Sequence, residues 1–489
     1  MVVLVSFSLL QFQKQTNVFL NFLDLRQEPF NDDDHKGESR AHEQAQENGG
    51  MLPFTPQKGL PTGILSNKPA SFFKSIQEQT DSMPLAARCR QYGFLKKDPS
   101  ITNSSITAAS RRMFYGSLIA DEPWELLEIV TTETYGLFSA VVLVESNRTQ
   151  HFSPRPLQRV GQEETLKEMF GTSQLQLRNY VNEDPRILDL WREHEQRQEI
   201  LKGWKEMGMG PSDVGYLADT DETFSRDFLR AIQQCPDIEF FDHKIHHCNP
   251  FQARIVGAAQ VFEASPDCVT RKRVWHHPDL IAGACIEGIG DESVNPIAPR
   301  DFFVRAEGYG GHEGRPSCSE EGLRNIKDNR SFPLYNAADF RNMCGGKMIR
   351  NKATDLSEYT SFHFHNFFAN FNQTRFKYKT YGHPQAGAYT RKLEDIHEDL
   401  ELVVRCAHNL STKRNGTKIR ERVNEGLIGT PKPWPIYFHD EDYRKRKAKS
   451  LRDEVIADEA VRQAFNKDRE AKELERRAKL LKNSKALSF

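Results

Sequence analysis

The sequence predicts an α/β protein built on a mainly parallel sheet, and three observations predict it. Short apolar strands alternate with amphipathic helical segments between about residues 113 and 234. One strand, Ala140–Val144, is apolar without interruption, as expected where helices cover both faces of a sheet. Two polar clusters, Glu145-Ser146-Asn147-Arg148 and Asp219-Thr220-Asp221-Glu222, directly follow strands, at the carboxyl ends where such sheets bind ligands.

The elements follow in order. Met113–Ile119 is a short apolar strand. Pro123 opens a helix with Trp124, Leu127 and Val130 at helical spacing. Ala140–Val144 is the second strand. Asp184 caps the next helix, with Pro185 at its first turn and an apolar stripe of Ile187, Leu190 and Trp191. That helical stretch ends near Gly208-Met209-Gly210-Pro211. Val214–Ala218 is a further strand, and Phe228, Leu229 and Ile232 mark the helix after it. From 240 to 435 the pattern is irregular and rich in Gly, Pro, His and aromatic residues, which predicts loops and short strands completing a pocket.

The ends differ in character. The 489 residues carry a net charge of −1, so nothing in the overall charge argues for a nucleic-acid partner or an anionic membrane surface, and no nucleic-acid partner is expected. Residues 1–26 form an apolar leader that reads as a weak signal anchor, although Gln11, Gln13, Lys14 and Gln15 interrupt it; no other segment can span a bilayer. Residues 27–85 read as a disordered stem, 86–435 as the catalytic domain, and 436–489 as a charged helical tail with no sustained heptad. The 8 cysteines contain no C-x-x-C pair, so the count suits disulfides in an oxidising compartment or buried thiols. Sequons at Asn103, Asn147, Asn329, Asn372, Asn409 and Asn415 favour the former.

Asp219 and Asp221, alternate residues at a strand end, offer hard oxygen ligands suited to Mn²⁺ or Mg²⁺. A cation there can bridge the diphosphate of a nucleotide sugar and stabilise the leaving group. The plainer reading is a helix cap by Asp221 or Ser225. Strict alternation in Ser361-Phe362-His363-Phe364-His365 places His363 and His365 on one side of a strand, as further metal or phosphate ligands or as core histidines. His383 is another candidate. Glu145, Asn147 and Arg148 are placed to hold a nucleotide sugar, Arg being the natural partner of a diphosphate; a glycosylated turn at Asn147 is the competing reading. An inverting transfer needs a carboxylate base, with candidates Asp339, Glu222, Glu287 and Asp291, of which Asp339 is preferred for its loop-like aromatic context.

Val141-Val142-Leu143-Val144-Glu145-Ser146-Asn147-Arg148-Thr149, followed by Pro154-Arg155-Pro156-Leu157, resembles glycosyltransferase family 17, in which a strand ends in E-S-N and a P-[KR]-P-L stretch follows. Ala218-Asp219-Thr220-Asp221-Glu222 with Arg226-Asp227 is similar to the family's D-x-D-E…R-D, and Ser361-Phe362-His363 to a third block. Phe224 stands where the family usually has Pro. The resemblance spans roughly residues 110 to 400. It implies a GT-A-like fold, a UDP-sugar donor, an inverting mechanism, and transfer of N-acetylglucosamine to a mannose of an N-glycan in the Golgi.

The expectation is therefore a metal-dependent glycosyltransferase, lumenal or single-pass type II, with a UDP-sugar donor and a glycan or glycoprotein acceptor. Asp219 and Asp221 bind the metal with His363 and His365, Arg148 or Arg226 assists the diphosphate, and Asp339 or Glu222 is the base. Two alternatives share these residues. Asp219-Thr220-Asp221-Glu222-Thr223 also matches the D-x-D-x-T of haloacid dehalogenase-type phosphatases, and an interaction protein could retain the fold without activity.

Overall fold

The structure, a computed structural model, describes residues 68–95, 107–187, 189–236, 238–242, 248, 253–275, 277–294, 334–335, 347–351, 359–381, 384–411 and 434–486. The apolar leader, most of the stem, Asp339 and His383 lie outside them. All described residues belong to one compact unit. No helix among them is long and apolar enough to cross a membrane.

The first sheet has seven strands: β1 (Met113–Ile119), β2 (Ala140–Ser146), β3 (Leu175–Tyr180), β4 (Val214–Asp219), β6 (Arg254–Gly257), β9 (Asp279–Ala282) and β10 (Lys347–Ile349). Their order is β10-β6-β9-β4-β1-β2-β3. All run parallel except β9, which is antiparallel to both neighbours. The mainly parallel α/β architecture expected from the sequence is thus present.

Alternation along the strands divides this sheet into two apolar faces. Met113, Tyr115, Val141, Leu143, Val214 and Tyr216 meet helices α3 (Trp124–Thr134), α4 (Glu163–Phe170) and α6 (Arg226–Gln234). Phe114, Val142, Val144 and Leu217 meet α5 (Asp189–Glu206) through Ile200, Leu201 and Trp204. Close approach of α5 needs a glycine: a Cβ on Gly116 would lie 2.1 Å from Ile200 Cγ2. Trp204 is fully buried there, and its indole N–H donates to the Tyr115 carbonyl at 2.9 Å.

A second sheet, in the order β5-β11-β7-β8, comprises β5 (Glu222–Phe224), β7 (Ala259–Glu263), β8 (Val269–Trp275) and β11 (Ser361–His365). Phe262, Phe362 and Phe364 pack on Leu126, Ile129 and Val130 of α3. Helix α3 therefore fills the space between the two sheets, which is why nine of its 11 residues are buried. A further core joins α7 (Phe371–Thr380), α8 (Leu393–Ile396) and α9 (Glu398–Ser411) to the start of α10 (Glu441–Ala486). Three disulfides, Cys89–Cys235, Cys248–Cys285 and Cys268–Cys406, involve all the described cysteines.

Four expectations are corrected. The stem is ordered from Lys68 onward: α1 (Ala70–Asp81) and α2 (Leu85–Gln91) dock on α6 through ion pairs. Asp184 caps no long helix. Its carboxylate accepts the Arg186 backbone N–H at 3.0 Å in a tight turn, and α5 begins only at Asp189. The region from 240 onward contains the 14-residue α9, whose Leu400, Val403, Val404 and Ala407 are buried. Finally, α10 is only partly a solvated appendage, because Tyr443, Leu451 and Val455 are buried and Arg375 pairs with Asp458 at 2.6 Å.

Candidate metal centre

Register brings the strand ends together. Leu118 of β1 pairs with Asp219 of β4, and Ile119 pairs with Glu145 of β2, so both sequence clusters stand on one edge of the sheet. After Asp219 the chain turns at Thr220-Asp221 and runs back as β5. Strand β5 lies antiparallel to β11, with Glu222 opposite His363. The Phe364 N–H donates to the Asp221 carbonyl at 2.7 Å and extends this ladder to the turn.

One ligand atom from each of Asp221, Glu222 and His363 lies within 4.8 Å of the others. His363 Nε2 is 3.5 Å from Asp221 Oδ2, a separation that a divalent cation bonded at roughly 2–2.3 Å to each donor could span. Glu222 and His363 are buried, whereas Asp221 retains some exposure at the mouth. The electrostatics are those of a paired site. Burial pushes Asp221 upward, but His363, with Lys377 and His365 beyond it, outweighs burial and holds the carboxyl well below its usual range. For His363, burial favours the neutral ring, yet Asp221, Glu222 and Glu263 together raise it above its ordinary value. These described acidic and histidine side chains could hold a metal ion. Two carboxylates and one imidazole make a mixed oxygen–nitrogen donor set.

The remaining expected residues are distributed differently. Asp219 is the most exposed carboxylate of the group, and its Oδ1 accepts from Arg197 Nη2 at 2.9 Å. Arg197, in turn, is held by Glu193 one helical turn away on α5. Glu222, considered as a base, stands instead among the metal-competent groups and accepts the Asp219 backbone N–H at 3.3 Å. His365 faces the same side of β11 as His363 but lies against Glu263 and Asp399. Glu287 and Asp291 are exposed, and Asp291 is hydrogen-bonded to Ser293.

Glu145 shapes the edge. It is buried and accepts the backbone N–H groups of Gln158 and Arg159 at 2.6 and 3.0 Å, so it fastens the Pro154–Arg159 stretch across the strand end. Burial raises its carboxyl and these two N–H groups lower it, with a net upward shift. Asn147 Nδ2 and Arg148 Nε both donate to Glu183, each at 2.8 Å, and the Arg148 guanidinium lies 4.4 Å over the Phe152 ring.

Arg226 departs furthest from expectation. Its guanidinium grips Asp81 of α1 at 2.8 and 2.9 Å and donates to the Tyr135 carbonyl at 2.9 Å. Asp227 beside it accepts from Arg88 of α2 at 2.8 Å. The Arg-Asp dipeptide therefore ties the N-terminal helices to α6, and its side chains are committed to that docking rather than to a diphosphate.

Sequence reasoning passes over Arg197, Glu263 and Asp399. Arg197 sits on a helix 22 residues before Asp219 with no motif around it. Glu263 is 102 residues from His365, a distance that no local spacing reveals. No protein-family model and no curated protein matches the chain.

Proposed function

We propose that the protein is a cation-dependent glycosyltransferase of GT-A type that takes a UDP-sugar donor, UDP-N-acetylglucosamine by its family resemblance, and glycosylates a mannose-containing N-glycan with inversion. The observation carrying this reading is the Asp221–Glu222–His363 cluster at the end of β4, on the same sheet edge as the Glu145–Arg159 loop. The strand order, with the single antiparallel β9 beside β4, agrees with a GT-A-like frame. Three disulfides support a lumenal setting.

Asp221 and His363 are the residues that would hold the cation, with Asp219 at the mouth oriented by Arg197. A bound divalent cation supplies charge neutralisation for a departing diphosphate. Glu145 acts indirectly, by fixing the backbone that walls the sheet edge. The antiparallel pairing of β5 with β11 sets the distance between the carboxylates and the imidazole before any ligand arrives, which is the preorganisation such a site requires.

The test is UDP release from a panel of UDP-sugars with Mn²⁺, wild type against Asp221→Ala, without acceptor and then with mannose-containing N-glycans. Release from one donor, dependent on metal and abolished by the substitution, supports the reading. Phosphate release from phosphoesters with none from UDP-sugars would replace it with the dehalogenase-type phosphatase. Silence in both assays would leave an interaction protein on this fold.

A further inference from the structure

A second cluster lies behind the first. Glu263 ends β7 and His365 ends β11; the two are paired residues of adjacent parallel strands. Asp399 approaches from the first turn of α9. One ligand atom from each lies within 4.8 Å of the others. His365 Nδ1 is 3.1 Å from Glu263 Oε2 and 3.8 Å from Asp399 Oδ2. His397 Nδ1 lies 3.3 Å from the same Asp399 oxygen.

An independent observation comes from Asn366. Its Nδ2 is 3.2 Å from His365 Nδ1 and 3.3 Å from Glu263 Oε2, so the amide is aimed into the cluster. The residue is 3% exposed, yet its Oδ1 has no hydrogen-bond partner. The Nδ2 atom is also 3.4 Å from the Tyr378 hydroxyl, and a half-turn of the amide exchanges the two atoms and brings the oxygen beside Glu263, where it would be a ligand for a cation. The backbone of Asn366 is left-handed, at φ 58°, which helps place its amide here. A single ring nitrogen can serve only one hydrogen bond, whereas His365 Nδ1 has Glu263, Asn366 and Asp399 gathered around it.

We propose that Glu263, His365 and Asp399, with the Asn366 amide oxygen, form a second site for a divalent transition-metal ion such as Zn²⁺, distinct from the Asp221–Glu222–His363 site. Two carboxylates, an imidazole and an amide oxygen are a borderline nitrogen–oxygen donor set. The ion fastens the start of α9 to the ends of β7 and β11. The two sites are neighbours, since the His363 and His365 rings are 5.2 Å apart, centroid to centroid. Nothing in this proposal depends on the protein being a transferase.

The full chain, stripped with chelator and dialysed against Zn²⁺, tests it by bound zinc per chain. Wild type holds one ion more than Glu263→Gln and one more than Asp399→Asn, while Asp221→Asn loses a different ion and the Asp221→Asn/Glu263→Gln pair loses two. Near-UV circular dichroism in chelator identifies any variant that fails to fold. Co²⁺ absorption provides a second readout: His365→Asn removes a visible band that Asp221→Asn retains. Equal zinc content in wild type, Glu263→Gln and Asp399→Asn, meaning adventitious ions only, overturns the proposal. Failure of Asp221→Asn alone to lose an ion would count against the first site and leave the second standing.

Discussion

Replacing Asp81 by Ala tests whether the Arg226-Asp227 motif is a docking device. The Asp81 carboxylate accepts four hydrogen bonds: from Arg226 at 2.9 and 2.8 Å, and from Arg230 at 3.1 and 2.9 Å. The Arg226 side chain is only 5% exposed, whereas Arg230 is 24% exposed. Breaking a buried pair by removing one partner costs about 3–5 kcal/mol. Arg226 keeps the Tyr135 carbonyl, and Asp81 is itself partly exposed, so the lower end applies; the exposed Arg230 pair adds about 0.5 kcal/mol. The expected loss is about 3.5 kcal/mol, read from urea unfolding followed by circular dichroism. An Asp81→Ala/Arg226→Met double variant should recover more than half of it, because the orphaned charge is then gone. For pH dependence, burial raises the Asp81 carboxyl but the two arginines outweigh it, so its folded value is depressed. Its stabilisation is therefore present above the unfolded value and disappears as pH falls through the folded one, and the wild-type advantage narrows below about pH 4. If the protein turns over UDP-sugars as proposed, turnover per folded molecule should not change in Asp81→Ala. A loss under 1 kcal/mol, or a double variant no better than the single, would refute the docking role.

Three other perturbations have defined outcomes. Burial raises the carboxyl of Glu133 to about 7, even though the backbone N–H groups of Ile436 and Arg226 oppose it. Its contribution is thus complete below about pH 4.5 and is lost as pH rises through about 7, so wild type should lose roughly 2–3 kcal/mol over that window while Glu133→Gln, compared by calorimetry, lacks this slope. Deleting residues 461–489 should leave the melting temperature within a few degrees, whereas deleting from Glu441 removes buried Tyr443, Leu451 and Val455 and should abolish soluble expression. Cys268→Ser/Cys406→Ser opens a bridge with a sequence separation of 138, and the urea midpoint should report a loss of roughly 3–5 kcal/mol.

Three strands of the first sheet, β1, β2 and β4, were legible in the sequence, whereas β3, β6, β9 and β10 were not. β1 is Met113–Ile119 in both sequence and structure, and β2 and β4 extend the expected runs only at their carboxyl ends. A continuous apolar run bounded by polar residues has few other uses. Helix α9 carried its signal too, with Leu400, Val403, Val404 and Ala407 at helical spacing, but it was obscured by the Gly- and aromatic-rich chain around it. Helix α1 could not be read, because its order comes from Asp81 meeting Arg226, 145 residues away, and Gln77 meeting the Thr132 carbonyl. The same limit applies to the site. His363 and His365 were visible by alternation, but their partners were not: β5 brings Asp221 and Glu222 to one, while β7 and α9 bring Glu263 and Asp399 to the other.

The three disulfides impose an order on biosynthesis. Cys89–Cys235 closes once β1 to α6 have been made, and it encloses that half of the first sheet. The other two interlock, because Cys268 lies within the segment bounded by Cys248 and Cys285, while its partner is Cys406. At ribosomal speeds of about 5–20 residues per second, a separation of 138 residues keeps Cys268 waiting roughly 7–30 seconds for its partner. During that interval closer thiols compete for it: Cys248, already made, and Cys285, Cys318 and Cys344 as they emerge. A nascent chain that pairs neighbours in order of emergence would be trapped with the wrong bridge, and would reach the native pairing only by disulfide exchange.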